Sequence, residues 1–227
     1  MALTASSVLR ALSRLYHPPK TFLHFRTPLD LLVATILSAQ CTDDRVNVVT
    51  ETIVYPKYRT PDDYLRVLPA ELEEDVHSCG TFRMKAKHIR EACAMVEERF
   101  SGQVPQTMEE LTQLPGVGRK TASVILSAAF GKNEGIAVDT HVLRLSQRLG
   151  LSRHGDPKRI ELDLMAQLPR KDWARFNPLL ISHGRAVCTA RNRRCGACVF
   201  SEECPSSSVH GRTDKAKAKR PVRRRSV

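Results

Sequence analysis

The stretch that decides the fold of this chain is Leu114-Pro115-Gly116-Val117-Gly118-Arg119-Lys120-Thr121-Ala122, a tight turn followed by a helix-forming run up to Phe130. Just upstream, Thr107-Met108-Glu109-Glu110 has the pattern of a capping box that opens a short helix. The segment is therefore predicted to fold as helix, hairpin, helix. Its glycines allow positive φ and close approach of a ligand, and the free N–H groups of the second helix favour an anion such as a nucleic-acid phosphate. A plain helix–helix turn is the alternative at this point.

The distribution of charge indicates a polyanionic partner. The 227 residues carry a formal net charge of +12, and eight basic residues against one acid give residues 212–227 a charge of +7. The preceding 211 residues therefore carry +5, from 12 − 7, which is moderate. We predict that the 212–227 tail is disordered and solvated and that it adds modest affinity for DNA. A tail that only improves solubility is the alternative.

Composition argues against a membrane protein and against a secreted one. Apolar residues make up 41% of the chain, which is enough for an ordinary core. There is no apolar run of the ~18 residues that a membrane span needs, and the N-terminus lacks the features of a secretory signal. We therefore predict a cytoplasmic protein without disulfides. Three scattered cysteines, Cys41, Cys79 and Cys93, are interpreted as small buried hydrophobic residues in helical segments.

The chain is predicted to be almost wholly helical. Helix starts are indicated at Thr27-Pro28, Thr60-Pro61 and Asp156-Pro157, where an N-cap residue precedes proline. Hydrophobic periodicity and turn residues predict about ten mostly short helices, among them residues 29–39, 82–100, 140–149, 157–167 and 173–187. The fold class is therefore predicted to be all-α. Spacing alone is compatible with two lobes and a cleft but does not establish them.

Four cysteines, Cys188, Cys195, Cys198 and Cys204, form the pattern Cys-x6-Cys-x2-Cys-x5-Cys. Four thiols within 17 residues are predicted to converge on one metal centre, because unligated thiols so close together would oxidise. Structural zinc sites usually have two Cys-x2–4-Cys knuckles, and this pattern has one. The spacing thus favours a [4Fe–4S] cluster, with zinc as the alternative.

The loop between the first two of these cysteines contains three arginines, Arg191, Arg193 and Arg194. We predict that a metal centre orders this loop in advance, so that its guanidinium groups can clamp a DNA phosphate. A merely solvated loop is the alternative.

Two residues indicate possible catalysis. Lys120 lies in the first turn of the predicted helix, where the positive end of the helix dipole disfavours the ammonium form and favours a nucleophilic amine. Asp139, within Ala137-Val138-Asp139-Thr140-His141, is most simply an N-cap. A carboxylate at this helix start that faced Lys120 would instead stabilise cationic charge or transfer protons.

In combination, the hairpin stretch, Val138-Asp139-Thr140-His141 and the four-cysteine spacing resemble the endonuclease III family of the helix–hairpin–helix DNA glycosylase superfamily. Similarity includes Arg26-Thr27-Pro28 and Leu37-Ser38-Ala39-Gln40 and extends to Ser206. The resemblance implies a two-lobed all-α fold. Its domains would be a six-helix barrel with the hairpin at residues 22–133, a [4Fe–4S] domain at 1–21 and 134–211, and the disordered basic tail at 212–227.

The resemblance also implies an activity. A family member would act as a monomer on double-stranded DNA containing damaged bases, in the cytoplasm at the nucleoid and with no membrane partner. It would remove oxidised pyrimidines such as thymine glycol and then cut the abasic strand. Lys120 matches the nucleophile that attacks the sugar C1′, forms a Schiff base and leads to β-elimination, and Asp139 matches the carboxylate that assists it. The rivals are a monofunctional mismatch or adenine glycosylase, which Lys120 disfavours, and a non-catalytic DNA-binding protein.

The remaining implied residues contact DNA. Gln40 matches the residue that fills the gap left by the flipped nucleotide, and flipping is needed because the reacting atoms are inaccessible within the base stack. Thr81 stands where a bulky aliphatic wedge is expected, so Phe82 or another loop is predicted to share that task. Further DNA contacts are predicted at Gly116, Val117, Gly118, Arg119, His141, Arg144, Arg191, Arg193 and Arg194.

Overall fold

The computed structural model describes residues 2–209 of the chain. In chain order, its twelve α-helices are α1 (Ala5–Leu15), α2 (Pro28–Leu37), α3 (Asp43–Val49), α4 (Tyr55–Lys57), α5 (Pro61–Arg66), α6 (Pro69–Asp75), α7 (Phe82–Phe100), α8 (Met108–Leu111), α9 (Arg119–Phe130), α10 (Thr140–Arg148), α11 (Pro157–Gln167) and α12 (Trp173–Ala186). A π-helical turn, Thr50–Val54, joins α3 to α4. Within residues 2–209 there is no β-strand, only an isolated bridge between Cys188 and Arg193. The predicted all-α class is confirmed.

Contacts divide the described residues into two units. The terminal unit comprises those within Met1–His17, Val138–Leu168 and Leu179–Val227, and the central unit comprises Pro18–Ala137 and Pro169–Pro178. The domain boundaries expected from the family resemblance stay a prediction, and the tail at 212–227 lies outside the described residues.

Helix starts form as the local sequence predicts. Thr27 and Thr60 each begin a helix with a reciprocal capping box that involves the aspartate three residues later. Asp156 caps α11 in the same position before a proline. Thr107 caps α8 by accepting from the Glu110 N–H, but the Glu110 carboxylate accepts from the Thr107 hydroxyl at 2.8 Å and not from the Thr107 backbone N–H. The capping box predicted here is therefore only half formed. These caps satisfy donors that would otherwise have no partner, each worth about 1 kcal/mol.

The apolar core of the central unit is built on α2, which contacts both α7 and α9. Every residue from Leu31 to Leu37 is buried, and the stripe of α7 that contains Ile89 and Val96 is fully buried as well. Complete burial of one such side chain stabilises the fold by about 1.5–3 kcal/mol. The loops that begin or end these three helices are therefore attached to a well-packed base.

The interpretation of the scattered cysteines is correct for Cys79 and Cys93, which are buried, and wrong for Cys41. Helix α2 ends at Leu37, two residues before its predicted end, and Gln40 has a positive φ of 54°. Cys41 therefore lies in the following bend and is partly exposed.

In the terminal unit, α11 contacts both α1 and α10. The Gln167 side chain accepts from the Ala5 N–H at 3.1 Å, and the Ser6 hydroxyl donates to the Gln167 carbonyl at 2.7 Å. These bonds fasten the start of α1 to the end of α11. Among residues 2–209, none of the helices has the combination of length and apolar character that would let it cross a bilayer.

Candidate functional site

The hairpin before α9 is a tight turn closed by a bond from the Val117 N–H to the Leu114 carbonyl at 3.0 Å. Pro115 occupies its second position and Gly116, with φ +79°, its third, which is the residue pattern of a type II turn. Leu114 and Val117 are buried and anchor the turn. A Cβ added to Gly116 would lie 3.1 Å from the Cβ of His88 on α7, so both the backbone angle and the close packing require glycine here.

The second glycine of the hairpin, Gly118, has another role. Its φ is −89°, so the positive φ that the glycines allow is used at Gly116 and not at this residue. Gly118 is the N-cap of α9 and offers no side-chain acceptor, and a Cβ placed on it would meet nothing within 4 Å. The start of α9 therefore faces open space without a side-chain cap, an arrangement that suits an incoming anion.

Lys120 is the second residue of α9 and is exposed. Among residues 2–209, its amine has no hydrogen-bond or ion-pair partner. The side chain is thus free to reach a ligand bound at the hairpin.

Two loops of the central unit present the residues predicted to enter the DNA stack. Gln40 is exposed and holds a left-handed φ of 54°, which is uncommon for a residue with a side chain. Thr81 is also exposed and follows Gly80, whose φ of 73° and ψ of −152° belong to a region that is almost restricted to glycine. Strained backbone of this kind is concentrated at functional sites.

Phe82 is half-buried rather than free. Its ring lies 4.5 Å from the ring of His77, and the guanidinium of Arg83 lies over it at 5.4 Å. The ring is therefore held by contacts with both neighbours beside Thr81. Its predicted role as a wedge stays a prediction.

In the terminal unit, Asp139 is the N-cap of α10, and its Oδ1 accepts from the Val142 N–H at 2.8 Å. The interpretation of Asp139 as an N-cap is thus correct. The cap uses one carboxylate oxygen and fixes the orientation of the other, Oδ2. A catalytic role for Asp139 remains compatible with this geometry and stays a prediction.

His141 and Arg144, one turn further along α10, lie against the loop of the first cysteine. Arg144 Nη2 is 3.1 Å from His141 Nδ1 and 3.3 Å from the Cys188 carbonyl. A Cβ on Gly184 would lie 2.6 Å from His141 Nδ1, so α12 can approach α10 here only through glycine. The sequence analysis missed Gly184, because nothing in the local pattern of α12 indicates the approach of another helix.

All four clustered cysteines line one pocket together with Arg148 and His183. Arg148 Nη1 donates to Cys188 Sγ at 3.3 Å and to the Thr189 carbonyl at 2.8 Å. His183 Nε2 is 3.5 Å from Cys198 Sγ. Burial lowers the pKa of His183 to about 4, so the ring is neutral near pH 7.

The donor set of this pocket fits a metal cofactor with several attachment points. Within residues 2–209, no group of three or more His, Cys, Asp or Glu side chains has an arrangement that could hold a single metal ion. The four thiols nevertheless face the same space, with a cationic guanidinium beside one sulfur. Soft thiolates select zinc or iron–sulfur centres, and a cluster takes its ligands from around a larger object than one ion does.

The arginines between the first two cysteines divide into two kinds. Arg193 donates to the Ser206 carbonyl at 2.6 Å, and Arg194 donates to the Ala186 carbonyl, so both hold the loop itself. Arg191 is exposed, and no residue within 2–209 pairs with it. The predicted phosphate clamp of three arginines stays a prediction, with Arg191 the most available of the three.

The structure thus assembles the predicted residues in two groups. The hairpin, Lys120, Gln40 and Thr81 belong to the central unit, whereas Asp139 and the residues around the cysteine pocket belong to the terminal unit.

Comparison with known proteins agrees with this geometry. Residues 33–170 match the HhH-GPD superfamily base excision DNA repair protein family. Endonuclease III of Synechocystis sp. is 52% identical over 205 residues, covering 90% of this chain and 93% of the relative. A non-covalent endonuclease III–DNA complex has a TM-score of 0.87 at 41% identity, covering 92% of this chain and 99% of that one. A trapped endonuclease III–DNA covalent intermediate has a TM-score of 0.86 at 41% identity, with the same coverage.

The fold, the hairpin and the family match define a DNA glycosylase of base excision repair. With these identities over most of its length, the chain belongs to the endonuclease III family.

Proposed function

We propose that this protein removes oxidised pyrimidines, such as thymine glycol, from double-stranded DNA and then cuts the abasic strand through a Schiff base on Lys120. The observation that carries the proposal is the exposed amine of Lys120, without a partner among residues 2–209, at a helix start that no side chain caps. A relative with 41% identity has been trapped as a covalent intermediate with DNA, which supports a nucleophilic side chain at this site.

The proposed reaction begins at the sugar of the damaged nucleotide. The lone pair of Lys120 Nζ forms a bond to C1′, and the bond from C1′ to the base breaks, with its electron pair leaving on the base. Opening of the sugar ring converts the adduct into an imine, the Schiff base. Loss of a proton from C2′ then expels the 3′ phosphate by β-elimination, and hydrolysis of the imine releases the amine.

Asp139 is proposed to supply the negative charge that this reaction needs. The sugar acquires positive charge as the base departs, and a fixed carboxylate stabilises such charge without reorganisation. Its hydrogen bond to the Val142 N–H would hold the carboxylate in one orientation, with Oδ2 free for this task.

DNA is proposed to be held by its backbone and opened by side chains. The uncapped start of α9 behind Gly116 and Gly118 would bind a phosphate, with Val117 shaping the turn and Arg119 adding charge. Gln40 would fill the space of the flipped nucleotide, and Thr81, supported by the neighbouring Phe82 ring, would separate the opposite strand. In the terminal unit, His141, Arg144 and the arginines of the cysteine loop are proposed to contact further phosphates.

The cofactor is proposed to be a [4Fe–4S] cluster held by the four cysteines that line one pocket, Cys188, Cys195, Cys198 and Cys204. When bound, such a cluster would brace the loop that carries Arg191. Equal amounts of iron and acid-labile sulfide in the purified protein would support this assignment, and stoichiometric zinc would contradict it. We further propose a monomer that acts on nucleoid DNA in the cytoplasm, with the domain division expected from the family.

The decisive experiment is borohydride trapping on duplex DNA with one abasic site. Wild-type protein should form a covalent adduct, and Lys120→Ala should form none. Lys132→Ala is the matched control, because Lys132 follows the other end of α9 and donates to the Gln106 carbonyl. Equal trapping by Lys120→Ala would overturn the assignment of Lys120 as the nucleophile, and absence of trapping by the wild-type protein would favour a monofunctional glycosylase. A panel of oxidised, mismatched and alkylated bases in the same duplex then tests the proposed substrate class.

A further inference from the structure

Lys85, in the first turns of α7, is a lysine whose burial the proposed chemistry does not explain. Its residue surface is only 3% exposed, and it has no carboxylate partner among the described residues. Its Nζ donates to the Leu37 carbonyl at 2.8 Å and to the Cys79 carbonyl. The ammonium is therefore satisfied by two backbone carbonyls from different parts of the chain.

A buried ammonium is an expensive way to fill this space. Burial lowers the pKa of Lys85, and the nearby thiols of Cys41 and Cys79 act in the opposite direction. A methionine of similar length would occupy the same volume without the cost of removing a charge from water. Methionine has no donor and could not join the two carbonyls. The role of Lys85 is therefore indicated by the segments that contain these carbonyls.

Both carbonyls lie at the bases of the loops predicted to enter DNA. The Leu37 carbonyl is at the end of α2, where carbonyls lack helical partners and favour a cation, and Gln40 follows three residues later. The Cys79 carbonyl directly precedes Gly80 and Thr81. One ammonium thus links the loop of Gln40 to the loop of Thr81.

The same helix supports the hairpin. His88 lies three residues beyond Lys85, and its Cβ would be 3.1 Å from a Cβ on Gly116. Residues three apart lie on the same side of a helix. Helix α7 therefore contacts the bases of the Gln40 and Thr81 loops through Lys85 and the hairpin through His88, and it sets the spacing of these three segments.

We propose that Lys85 is a positioning residue for nucleotide flipping: it holds the Gln40 and Thr81 loops at a fixed separation, so that both side chains enter the duplex together. The inference rests on the proposed function. Lys85 itself contacts neither DNA nor the reacting atoms. Its effect is confined to duplex substrates, in which the reacting nucleotide must leave the helix and the opposite strand must be held apart.

The test compares Lys85→Met with Lys87→Met, which removes an exposed lysine from the same helix. Single-turnover cleavage is measured at an abasic site in duplex DNA and in single-stranded DNA. Lys85→Met should lower duplex cleavage by about 10- to 100-fold, because small misplacements of positioning groups have effects of that size. Single-strand cleavage should stay within about twofold of wild type, because no opposite strand has to be opened. Lys87→Met should match wild type on both substrates.

A second measurement separates this proposal from the proposed chemistry. With 2-aminopurine opposite an uncleavable abasic analogue, wild-type binding should raise the fluorescence by unstacking that base. Lys85→Met at saturating concentration should give a smaller rise. Equal fluorescence, or an equal fall in cleavage of both DNA forms by a folded Lys85→Met protein, would overturn the positioning role. Absence of cleavage by the wild-type protein would instead overturn the proposed function.

Should Lys85→Met not fold, the coupling of the two loops can be tested with Lys85 in place. Gln40→Ala, Thr81→Ala and the double variant are compared in duplex cleavage. Loops that act as one unit should give non-additive losses, with the double variant close to the more damaging single variant. Fully additive losses would contradict the proposal.

Discussion

Two helix starts carry the residues on which the proposed chemistry depends, and they are built in opposite ways. Helix α9 begins after Gly118 without a side-chain cap, whereas α10 begins after Asp139, whose carboxylate accepts from the Val142 N–H at 2.8 Å. Donors at an uncapped start recruit an acceptor from outside the protein. A capped start is satisfied internally and holds its capping side chain in place. The first is suited to bind a ligand, and the second to present a fixed charge.

The largest effect should come from removing the negative charge of Asp139 while keeping its N-cap hydrogen bond. Asn is as good an N-cap as Asp, so Asp139→Asn should leave thermal unfolding unchanged. If the carboxylate stabilises positive charge on the sugar, single-turnover base release should fall by about 100-fold or more. DNA affinity should change little. An unchanged rate would reduce Asp139 to its structural role.

Asp139→Ala is the companion variant, because it removes charge and cap together. It should lose base release to the same degree and also about 1 kcal/mol of unfolding free energy. A stability loss without any rate loss would show that the two helix starts do not differ in chemical role.

The uncapped start of α9 is probed by adding a methyl group to each glycine of the hairpin, Gly116 and Gly118. Gly116→Ala should lower the unfolding free energy by about 1–3 kcal/mol, because it combines a left-handed φ with crowding against His88. Gly118→Ala has a permitted φ and open space, so its only expected cost is that Ala is a poorer N-cap than Gly, about 1 kcal/mol or less. Its added Cβ would nevertheless stand over the start of α9 and should weaken DNA binding by about tenfold, if that is where the phosphate binds.

Thermal denaturation and DNA titration together separate these outcomes. Full affinity in Gly118→Ala would mean that the open start of α9 does not hold DNA, and the contrast between the two starts would lose its functional meaning.

The smallest effect is expected at the cysteine loop, outside both helix starts. Arg191→Ala should weaken DNA binding uniformly across sequences and reduce the salt slope by about one, as for the loss of one phosphate contact. Arg193→Ala is the contrasting variant, because Arg193 bonds the Ser206 carbonyl. It should loosen the loop and lower the iron content of the purified protein. A normal salt slope in Arg191→Ala would leave this loop without a DNA role.

The sequence by itself determined the features that depend on neighbouring residues. Thr27, Thr60 and Asp156 begin helices as predicted, because an N-cap and a following proline act within one turn. The hairpin and the N-cap at Asp139 are local for the same reason. The cysteine spacing was also sufficient to predict that the four thiols share one pocket.

Tertiary structure alone decided the features that depend on distant residues. The close approach at Gly184, the partly exposed Cys41 and the use of Arg193 and Arg194 to hold their own loop follow from where other segments lie. Lys85 is the clearest case. In the sequence it is one of two lysines on an amphipathic helix, whereas in the fold its ammonium lies between two carbonyls 48 and 6 residues away. Burial and long-range pairing are properties of the packed chain, and no local pattern encodes them.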